Sequence, residues 1–268
     1  MVLVAARYEY PDFDRLFPTL LYLIVLVFPV VLDAKLNWQG NSVVLYDACR
    51  VACVTDALFD ETHWRSTGQV VGEAMGRGSV LFVRHDDSTW VLRHYRRGGF
   101  VRHFIRDRYV WQGLERTRAF REWRLLSKLC NLDLPVPTPI AARVRRSGIG
   151  YTADIITEHI DNTSSLEDII NGVGVSLDNW GRIGSTLRQF HDLGVDHSDL
   201  NARNILLDNN HQVYLVDFDK GKIRSSGAWR DRNLRRLKRS LQKVALETGT
   251  SFNTNGWQAL KRSYQSMR

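Results

Sequence analysis

Proline and cysteine are scarce in this chain of 268 residues, which contains only 6 Pro and 3 Cys. With 44% hydrophobic and 25% charged residues, the composition excludes collagen, coiled coils, low-complexity disorder and polytopic membrane proteins. Cys49, Cys53 and Cys130 are too few and too scattered for a disulfide framework, and no second Cys/His pair at zinc-site spacing accompanies them. We therefore expect these cysteines to be reduced, buried thiols and the protein to lie in the cytosol.

Acidic residues are outnumbered, with 29 Asp+Glu against 37 Lys+Arg, which gives a formal net charge of +8. This balance favours a polyanionic partner, whether nucleic acid, a phosphorylated substrate or an acidic membrane surface. The chain length fits one large domain or two lobes that share a cleft. Composition alone therefore leaves the partner open.

A single long apolar run covers residues 16–32. It lies at the lower edge of the length that spans a bilayer. Three acids, Glu9, Asp12 and Asp14, occupy the part that is basic in a secretory signal. The run fits a single membrane anchor, a hydrophobic hairpin or docked helix, or an upstream start that is absent from the mature protein. If it is an anchor, the basic residues downstream place the C-terminal side in the cytoplasm.

From about residue 40 onward, short strand patterns come first and helical patterns later. Turn residues and apolar runs predict strands and two hairpins at residues 42–46, 70–75, 80–83, 90–92, 141–145 and 151–157. Apolar spacing predicts a helix over 119–129 and another capped by Asp178, with helical, basic sequence from 228. The pattern predicts a bilobal α+β fold: an apolar extension (1–39), a β-rich N-terminal lobe (40–157) and a helical C-terminal lobe (158–268).

Residues 197–204 and 217–221 form the most informative pattern of the chain. They read His-Ser-Asp-Leu-Asn-Ala-Arg-Asn and Asp-Phe-Asp-Lys-Gly, with two short strand runs, 204–207 and 213–216, between them. An H-x-D-L-x-x-x-N loop followed by Asp-Phe is typical of protein-kinase-like phosphotransferases. Phosphoryl transfer requires an acceptor hydroxyl held in line with the γ-phosphate of ATP and divalent cations on the phosphates.

Each residue of this pattern has a predicted role. Asp199, the predicted catalytic residue, accepts or orients the hydroxyl proton of the acceptor. Asn204 and Asp217 are the predicted Mg²⁺ ligands, since both supply the oxygen atoms that this ion prefers. We expect His197 to pack and to hydrogen-bond the loop backbone rather than to transfer protons.

A nucleotide site should precede this loop along the chain. Gly76 and Gly78 lie between two predicted strands, where glycine lets backbone N–H groups approach phosphates. Arg93 ends the next strand and is predicted to bind the α- and β-phosphates, while Glu122, on the 119–129 helix, orients it. Protein kinases usually have lysine at the position of Arg93. The alternative interpretation is that Arg93 is only a solvent-exposed charge on the hairpin.

A second departure from the protein-kinase pattern is Asp219, which replaces the glycine of Asp-Phe-Gly. It predicts a metal loop without the activation switch of protein kinases. The chain after residue 221 is also too short for their usual large C-terminal lobe.

Longer motifs resemble one family, the 3-deoxy-D-manno-octulosonic acid (Kdo) kinases of lipopolysaccharide core synthesis. The matching segments are 76–79, 92–99, 120–122, 134–137, 197–202, 204–207 and 216–221. The resemblance covers about residue 40 to the C-terminus. It implies ATP-dependent phosphorylation of the Kdo 4-hydroxyl on a Kdo-lipid A precursor, at the cytoplasmic face of the inner membrane of a Gram-negative cell. It also makes Asp199 the active-site residue.

Two basic clusters interleaved with aromatic residues point independently to an anionic interface. The clusters are Arg93, Arg96, Arg97, Arg102, Arg106 and Arg108, and then Arg230, Arg232, Arg235, Arg236, Lys238 and Arg239. A phosphorylated lipid with an acidic sugar fits them, and solvated helix faces without a partner are the alternative. No nucleic acid is expected as a partner, because no RNA- or DNA-binding motif accompanies the clusters.

Two other functions stay open at this stage. One is a kinase-like phosphotransferase that acts on another small molecule or on a protein. The other is an inactive kinase-like scaffold that binds lipid or RNA, although the presence of both predicted metal ligands argues against it. Mg²⁺-dependent ATP binding distinguishes an enzyme from a scaffold.

Overall fold

A computed structural model of the protein describes residues 32–75, 79–96 and 108–266. The strands are β1 (Ala34–Gln39), β2 (Ser42–Asp47), β3 (Val70–Met75), β4 (Ser79–His85), β5 (Ser88–His94), β6 (Tyr109–Val110), β7 (Pro139–Ser147), β8 (Gly150–Glu158), β9 (Thr163–Ser165), β10 (Val195–Asp196), β11 (Ile205–Asp208), β12 (Val213–Leu215) and β13 (Lys222–Ile223). The α-helices are α1 (Glu61–Ser66), α2 (Arg118–Cys130), α3 (Leu166–Asn171), α4 (Leu177–Asp192), α5 (Trp229–Glu247) and α6 (Thr254–Ser266). The α+β expectation, with sheet first and helices later, is confirmed.

The N-terminal lobe is built on one antiparallel sheet in the order β1-β2-β7-β8-β5-β4-β3, with β6 added to β8. Both predicted hairpins are present, as β4–β5 and β7–β8. Asp86 closes the first with a left-handed backbone (φ 50°), which aspartate tolerates better than most residues. The sheet places Arg93, near the end of β5, opposite Ile155 on the central strand β8.

The sheet begins earlier than the sequence pattern indicates. β1 pairs with β2 from Ala34 opposite Asp47 to Gln39 opposite Ser42, whereas the predicted lobe begins at residue 40. β1 is an edge strand whose side chains are mostly exposed, so it lacks the apolar alternation that marks a half-buried strand.

Helix α2 packs against β7 and β8 of the sheet. Phe120, Trp123 and Leu126, spaced three residues apart, are all almost fully buried, which confirms the helix predicted over 119–129. The packing fixes Glu122, one turn into the helix, beneath the sheet at 2% exposure. Burial of this carboxylate requires a cationic partner.

The C-terminal lobe contains the long helices α4, α5 and α6, the short helix α3, and two small sheets, β12-β11-β9 and β10-β13. α4 begins at Leu177, and its N-cap is Ser176, whose Oγ accepts a hydrogen bond from the amide of Asn179 at 3.1 Å. The prediction that Asp178 caps this helix is therefore wrong. Asp178 lies in the first turn and pairs with Arg182 at 2.7 Å.

The expectation of buried thiols is met only by Cys130. Cys49 and Cys53 are exposed, and all three cysteines are free. Burial raises the pKa of the Cys130 thiol to about 11.

Three predictions from the sequence fall wholly or partly on residues that the structure does not describe. They concern Gly76 and Gly78, residues 16–31 of the apolar run, and the first basic cluster, of which Arg97, Arg102 and Arg106 lie outside the described residues. In the described ranges no helix has both the length and the apolar character needed to traverse a bilayer.

Gly184 sets the distance between α4 and α6, which pack closely along their length. A Cβ atom at this position would lie 2.1 Å from the backbone oxygen of Leu260. We expect Gly184→Ala to lower the free energy of unfolding by about 1–3 kcal/mol, because the helices must separate. Gly181→Ala on the same helix is the control, since its Cβ would meet only the Ser263 hydroxyl, at 3.0 Å. Equal unfolding midpoints in urea for the two variants would contradict this account.

Candidate active site

The loop between β10 and β11 holds Asp199 by its backbone. The side-chain amides of Asn201 and Asn204 both donate to the Asp199 carbonyl oxygen, at 2.8 and 3.0 Å. Leu200 is fully buried beside it. Asp199 is therefore placed by a rigid loop, as a group that must orient a reacting hydroxyl requires.

The Asp199 side chain forms an ion pair with Arg236 of α5. The Asp199 side chain is 24% exposed, so it is reachable from solvent while its direction is set by the guanidinium. Arg236 belongs to the second basic cluster, and its contact with Asp199 was not predicted from the sequence.

His197 packs and hydrogen-bonds within the loop, as expected. Its Nε2–H donates to the carbonyl of Val216 at 2.9 Å, and its ring lies 4.7 Å from the ring of Phe218. His197 is 3% exposed. It joins the Asp199 loop to the segment that carries Asp217.

Asp217 follows β12 and adopts a left-handed backbone with φ 64°. The preceding residue, Val216, donates its amide to the Asn204 carbonyl at 3.1 Å, so the two predicted metal ligands lie on adjoining segments. Phe218 is buried and stacks on Phe190. Its burial offsets the backbone strain, which is of order 1–3 kcal/mol for such a residue.

Arg93 connects the two lobes. Its Nη2 lies 2.6 Å from both carboxylate oxygens of Glu122, and its Nη1 pairs with Asp217. The Tyr95 hydroxyl also donates to Glu122. The sequence-predicted contact between Arg93 and Glu122 is thus present, and the buried carboxylate has two donors.

The charges of this cluster shift its pKa values. Burial would raise the pKa of the Asp217 carboxyl, but the Arg93 guanidinium outweighs it and holds that pKa below its usual range. Burial and the Glu122 carboxylate raise the pKa of Tyr95 well above its usual value. Asp217 is therefore ionised and Tyr95 protonated at neutral pH.

Asp219, which stands where protein kinases have glycine, forms an ion pair with Arg118, the first residue of α2. Arg118 Nε donates to Asp219 Oδ1 at 2.6 Å, and its Nη1 donates to the Tyr109 hydroxyl at 2.5 Å. The Asp219 side chain is 12% exposed. Together with Glu122, this contact holds α2 at two points against the Asp217 segment, so the helix is fixed in place.

The residues present fit a Mg²⁺ ion that a nucleotide brings with it. Asn204 uses its Nδ2 to bind the Asp199 carbonyl, which leaves its amide oxygen for a cation, and Asp217 has one carboxylate oxygen beyond the one that pairs with Arg93. In the described ranges no three His, Cys, Asp or Glu side chains form a metal-holding group. Mg²⁺ needs no such group, since it uses one or two protein oxygens with phosphates and water.

The structure thus brings five of the seven predicted site residues into two connected sets: Asp199 with Asn204, and Arg93 with Glu122 and Asp217. Gly76 and Gly78 lie outside the described residues. The contacts of Tyr95, Arg118 and Arg236 were not predicted from the sequence. Asp219 had been singled out as unusual, but nothing local in the sequence identifies Arg118 as its partner.

Comparison with known proteins gives concordant similarities. The model of the "Lipopolysaccharide kinase (Kdo/WaaP) family" matches residues 61–264. The chain is 42% identical over 209 residues to a 3-deoxy-D-manno-octulosonic acid kinase of Photobacterium profundum, a match that covers 78% of this chain and 89% of the relative. The same identity extends over 229 residues, 84% of this chain and 90% of the relative, with a protein of that name from Stenotrophomonas maltophilia.

Proposed function

Since the chain belongs to the lipopolysaccharide kinase (Kdo/WaaP) family, we propose that it transfers the γ-phosphoryl group of ATP to the 4-hydroxyl of the Kdo sugar on a Kdo-lipid A precursor. It is a kinase, a phosphotransferase with an alcohol group as acceptor. The observation that carries the proposal is the continuous set of contacts from Glu122 through Arg93 to Asp217, one chain segment away from Asn204 and Asp199.

Arg93 is the cation proposed for the ATP phosphates. Glu122 holds its Nη2 end, so the guanidinium is fixed before a nucleotide binds, and this preorganisation lowers the entropic cost of binding. Arg93 keeps its charge at any physiological pH, because Glu122 and Asp217 outweigh the effect of burial and raise its pKa. Gly76 and Gly78 are proposed to hold the same phosphates through backbone N–H groups.

Asn204 and Asp217 are proposed to hold Mg²⁺ through their oxygen atoms. When bound, the ion neutralises charge on the β- and γ-phosphates of ATP. Asp217 is ionised at neutral pH and already directed by Arg93, so it offers a charged oxygen without a conformational change.

Asp199 is proposed to accept a hydrogen bond from the acceptor hydroxyl. The hydroxyl oxygen forms a bond to the γ-phosphorus as the bond from that phosphorus to the β–γ bridging oxygen breaks, the proton passes to Asp199, and ADP leaves. Arg236 pairs with Asp199, so its guanidinium sets the direction of this carboxylate. Orientation suffices in a loose transition state, where little proton transfer precedes bond formation.

We propose a peripheral location at the cytoplasmic face of the inner membrane, where a lipid-borne acceptor meets ATP. The exposed arginines of α5 support it, since basic residues are attracted to anionic leaflets. Cell fractionation tests the location: the protein should sediment with inner membranes and be released by high salt. Its appearance only in the soluble fraction at low salt would contradict this location.

The reaction itself is tested by incubating the purified protein with ATP, Mg²⁺ and Kdo-lipid A precursor. Mass spectrometry should show the acceptor heavier by one phosphate group, and ³¹P–¹H correlation NMR should place that phosphate at the 4-position. A product phosphorylated on another hydroxyl would correct the position. Phosphorylation of soluble amines or of protein instead of the Kdo-lipid would overturn the proposal.

The metal assignment predicts the behaviour of Asp217→Asn. We expect the Mg²⁺ concentration for half-maximal rate to rise by at least about tenfold, because the charged ligand is lost. Asp178→Asn removes an exposed carboxylate in the first turn of α4 and is the control. An unchanged Mg²⁺ requirement in Asp217→Asn would show that this carboxylate does not bind the metal.

A further inference from the structure

A second concave site, here called the arginine cleft, adjoins the Asp199 loop. It is formed by α5, the last residue of β10 with the loop that follows, and the residue after β13, and its volume is about 360 Å³. Its lining residues are Asp196, Ser198, Arg224, Arg232, Asn233, Arg235, Arg236 and Arg239. Of the proposed nucleotide and metal residues that the structure describes, none lines it, so it is a separate feature from the ATP site.

The charge of the cleft is strongly one-sided, with five arginines and a single acid, Asp196, in its lining. Asp196 is itself occupied, because its Oδ2 pairs with Arg224 at 3.1 Å. Arg236 pairs with Asp199. In the part of the chain that the structure describes, the other three arginines, Arg232, Arg235 and Arg239, have no acidic side chain within 4.0 Å.

These three arginines and Arg236 lie at helical spacings of three and four residues, so they share one face of α5. Like charges at such spacings repel and destabilise a helix. An anion between them removes this repulsion, and arginine binds carboxylate and phosphate oxygens through paired N–H donors. The arrangement therefore favours an oxyanion as the ligand of the cleft.

Arg236 connects the cleft to the reacting position, since it lines the cleft and also contacts the Asp199 carboxylate. A group bound in the cleft thus lies next to a hydroxyl bound at Asp199. The relatives' name describes a sugar that is an acid, so a single acceptor can carry both a hydroxyl and a carboxylate.

We propose that the arginine cleft binds an oxyanionic group of the acceptor, a sugar carboxylate or a phosphate, and thereby presents the acceptor hydroxyl to Asp199. This inference rests on the proposed function, whose acceptor it describes in more detail. The cleft supplies acceptor specificity, because an uncharged or cationic alcohol leaves the arginines without a partner.

The test uses Arg232→Gln and Arg239→Gln, singly and together, in the full-length protein. Glutamine keeps helix propensity, and neither residue is one that we place at the nucleotide. We expect the KM for Kdo-lipid A precursor to rise by about three- to tenfold per arginine, as for a partly exposed charged hydrogen bond, with the KM for ATP unchanged. Arg262→Gln, an exposed arginine of α6 outside the cleft, is the matched control and should leave both constants unchanged.

Two modified acceptors identify the oxyanion. If the carboxylate is bound, its methyl ester raises the KM in the wild type but not further in the double variant. If a phosphate is bound, removing that phosphate from the acceptor raises the KM in the wild type but not further in the double variant. An acceptor KM in the double variant equal to that of Arg262→Gln would overturn the proposal while leaving the kinase function intact.

A binding measurement separates the cleft from the reaction. Calorimetric titration of Kdo-lipid A precursor in detergent, with a non-hydrolysable ATP analogue, reports acceptor affinity without turnover. We expect the double variant to bind the acceptor more weakly than the wild type. We also expect added salt to weaken binding more steeply in the wild type than in the double variant. Equal affinity and equal salt dependence in both proteins would contradict the proposal whether or not phosphate is transferred.

Discussion

Asp199→Asn lowers the rate of phosphate transfer by about a hundredfold to ten-thousandfold, the range typical of losing a positioned proton acceptor. The asparagine keeps the size of the side chain, and the loop keeps its hydrogen bonds, because Asn201 and Asn204 bind the backbone carbonyl of residue 199 and not its side chain. Steady-state transfer to Kdo-lipid A precursor measures the effect.

Binding should survive this substitution. Mg²⁺-ATP affinity, measured by calorimetry, should match the wild type, since Arg93 and Asp217 are untouched. The acceptor affinity should be equal or higher, because Arg236 loses its internal partner and becomes available to an anion. Asp231→Asn on the first turn of α5 is the control for loss of a nearby carboxylate. Near-normal turnover of Asp199→Asn would remove this residue from the mechanism.

Glu122→Gln affects both stability and nucleotide use. We expect the free energy of unfolding to fall by about 2–3 kcal/mol, somewhat less than for a fully isolated buried charge, because Arg93 keeps its contact with Asp217. The kcat/KM for ATP should fall by about tenfold to a hundredfold, since the guanidinium is no longer held in one position. Urea unfolding and ATP kinetics measure the two effects.

Two further variants make this prediction decisive. Glu115→Gln removes an exposed carboxylate that pairs with Arg124 at 3.0 Å, and its stability should stay within about 0.5 kcal/mol of the wild type. Tyr95→Phe removes only the hydroxyl that donates to Glu122 and should cost about 1 kcal/mol.

The contact between Asp219 and Arg118 explains why glycine is absent after Phe218. In this chain the aspartate is a structural anchor: it binds the first residue of α2, while Glu122 on the same helix binds Arg93. α2 is thus held against the Asp217 segment at both points without any added ligand or modification. That this loop binds a metal and lacks the activation switch of protein kinases stays a prediction.

Local sequence determined the elements whose signals lie in adjacent residues. The helix 119–129, the hairpin turn at Asp86 and the loop 197–204 followed from apolar spacing, turn chemistry and motif, because each depends on residues within about one or two turns of one another. Two features were not predicted from the sequence. The edge strand β1 is mostly exposed and so lacks an apolar pattern, and the N-cap of α4 is Ser176, where several neighbouring residues could serve as the cap.

Tertiary structure alone decided the ion pairs on which the site depends. Arg93 and Asp217 are 124 residues apart, Arg118 and Asp219 are 101 apart, and Arg236 and Asp199 are 37 apart. A charged residue carries no local mark of its partner, because Coulomb attraction depends on the distance that folding creates and not on separation along the chain. The sequence thus predicted which residues form the site, and the packing of α2 and α5 decided which charged side chains contact them.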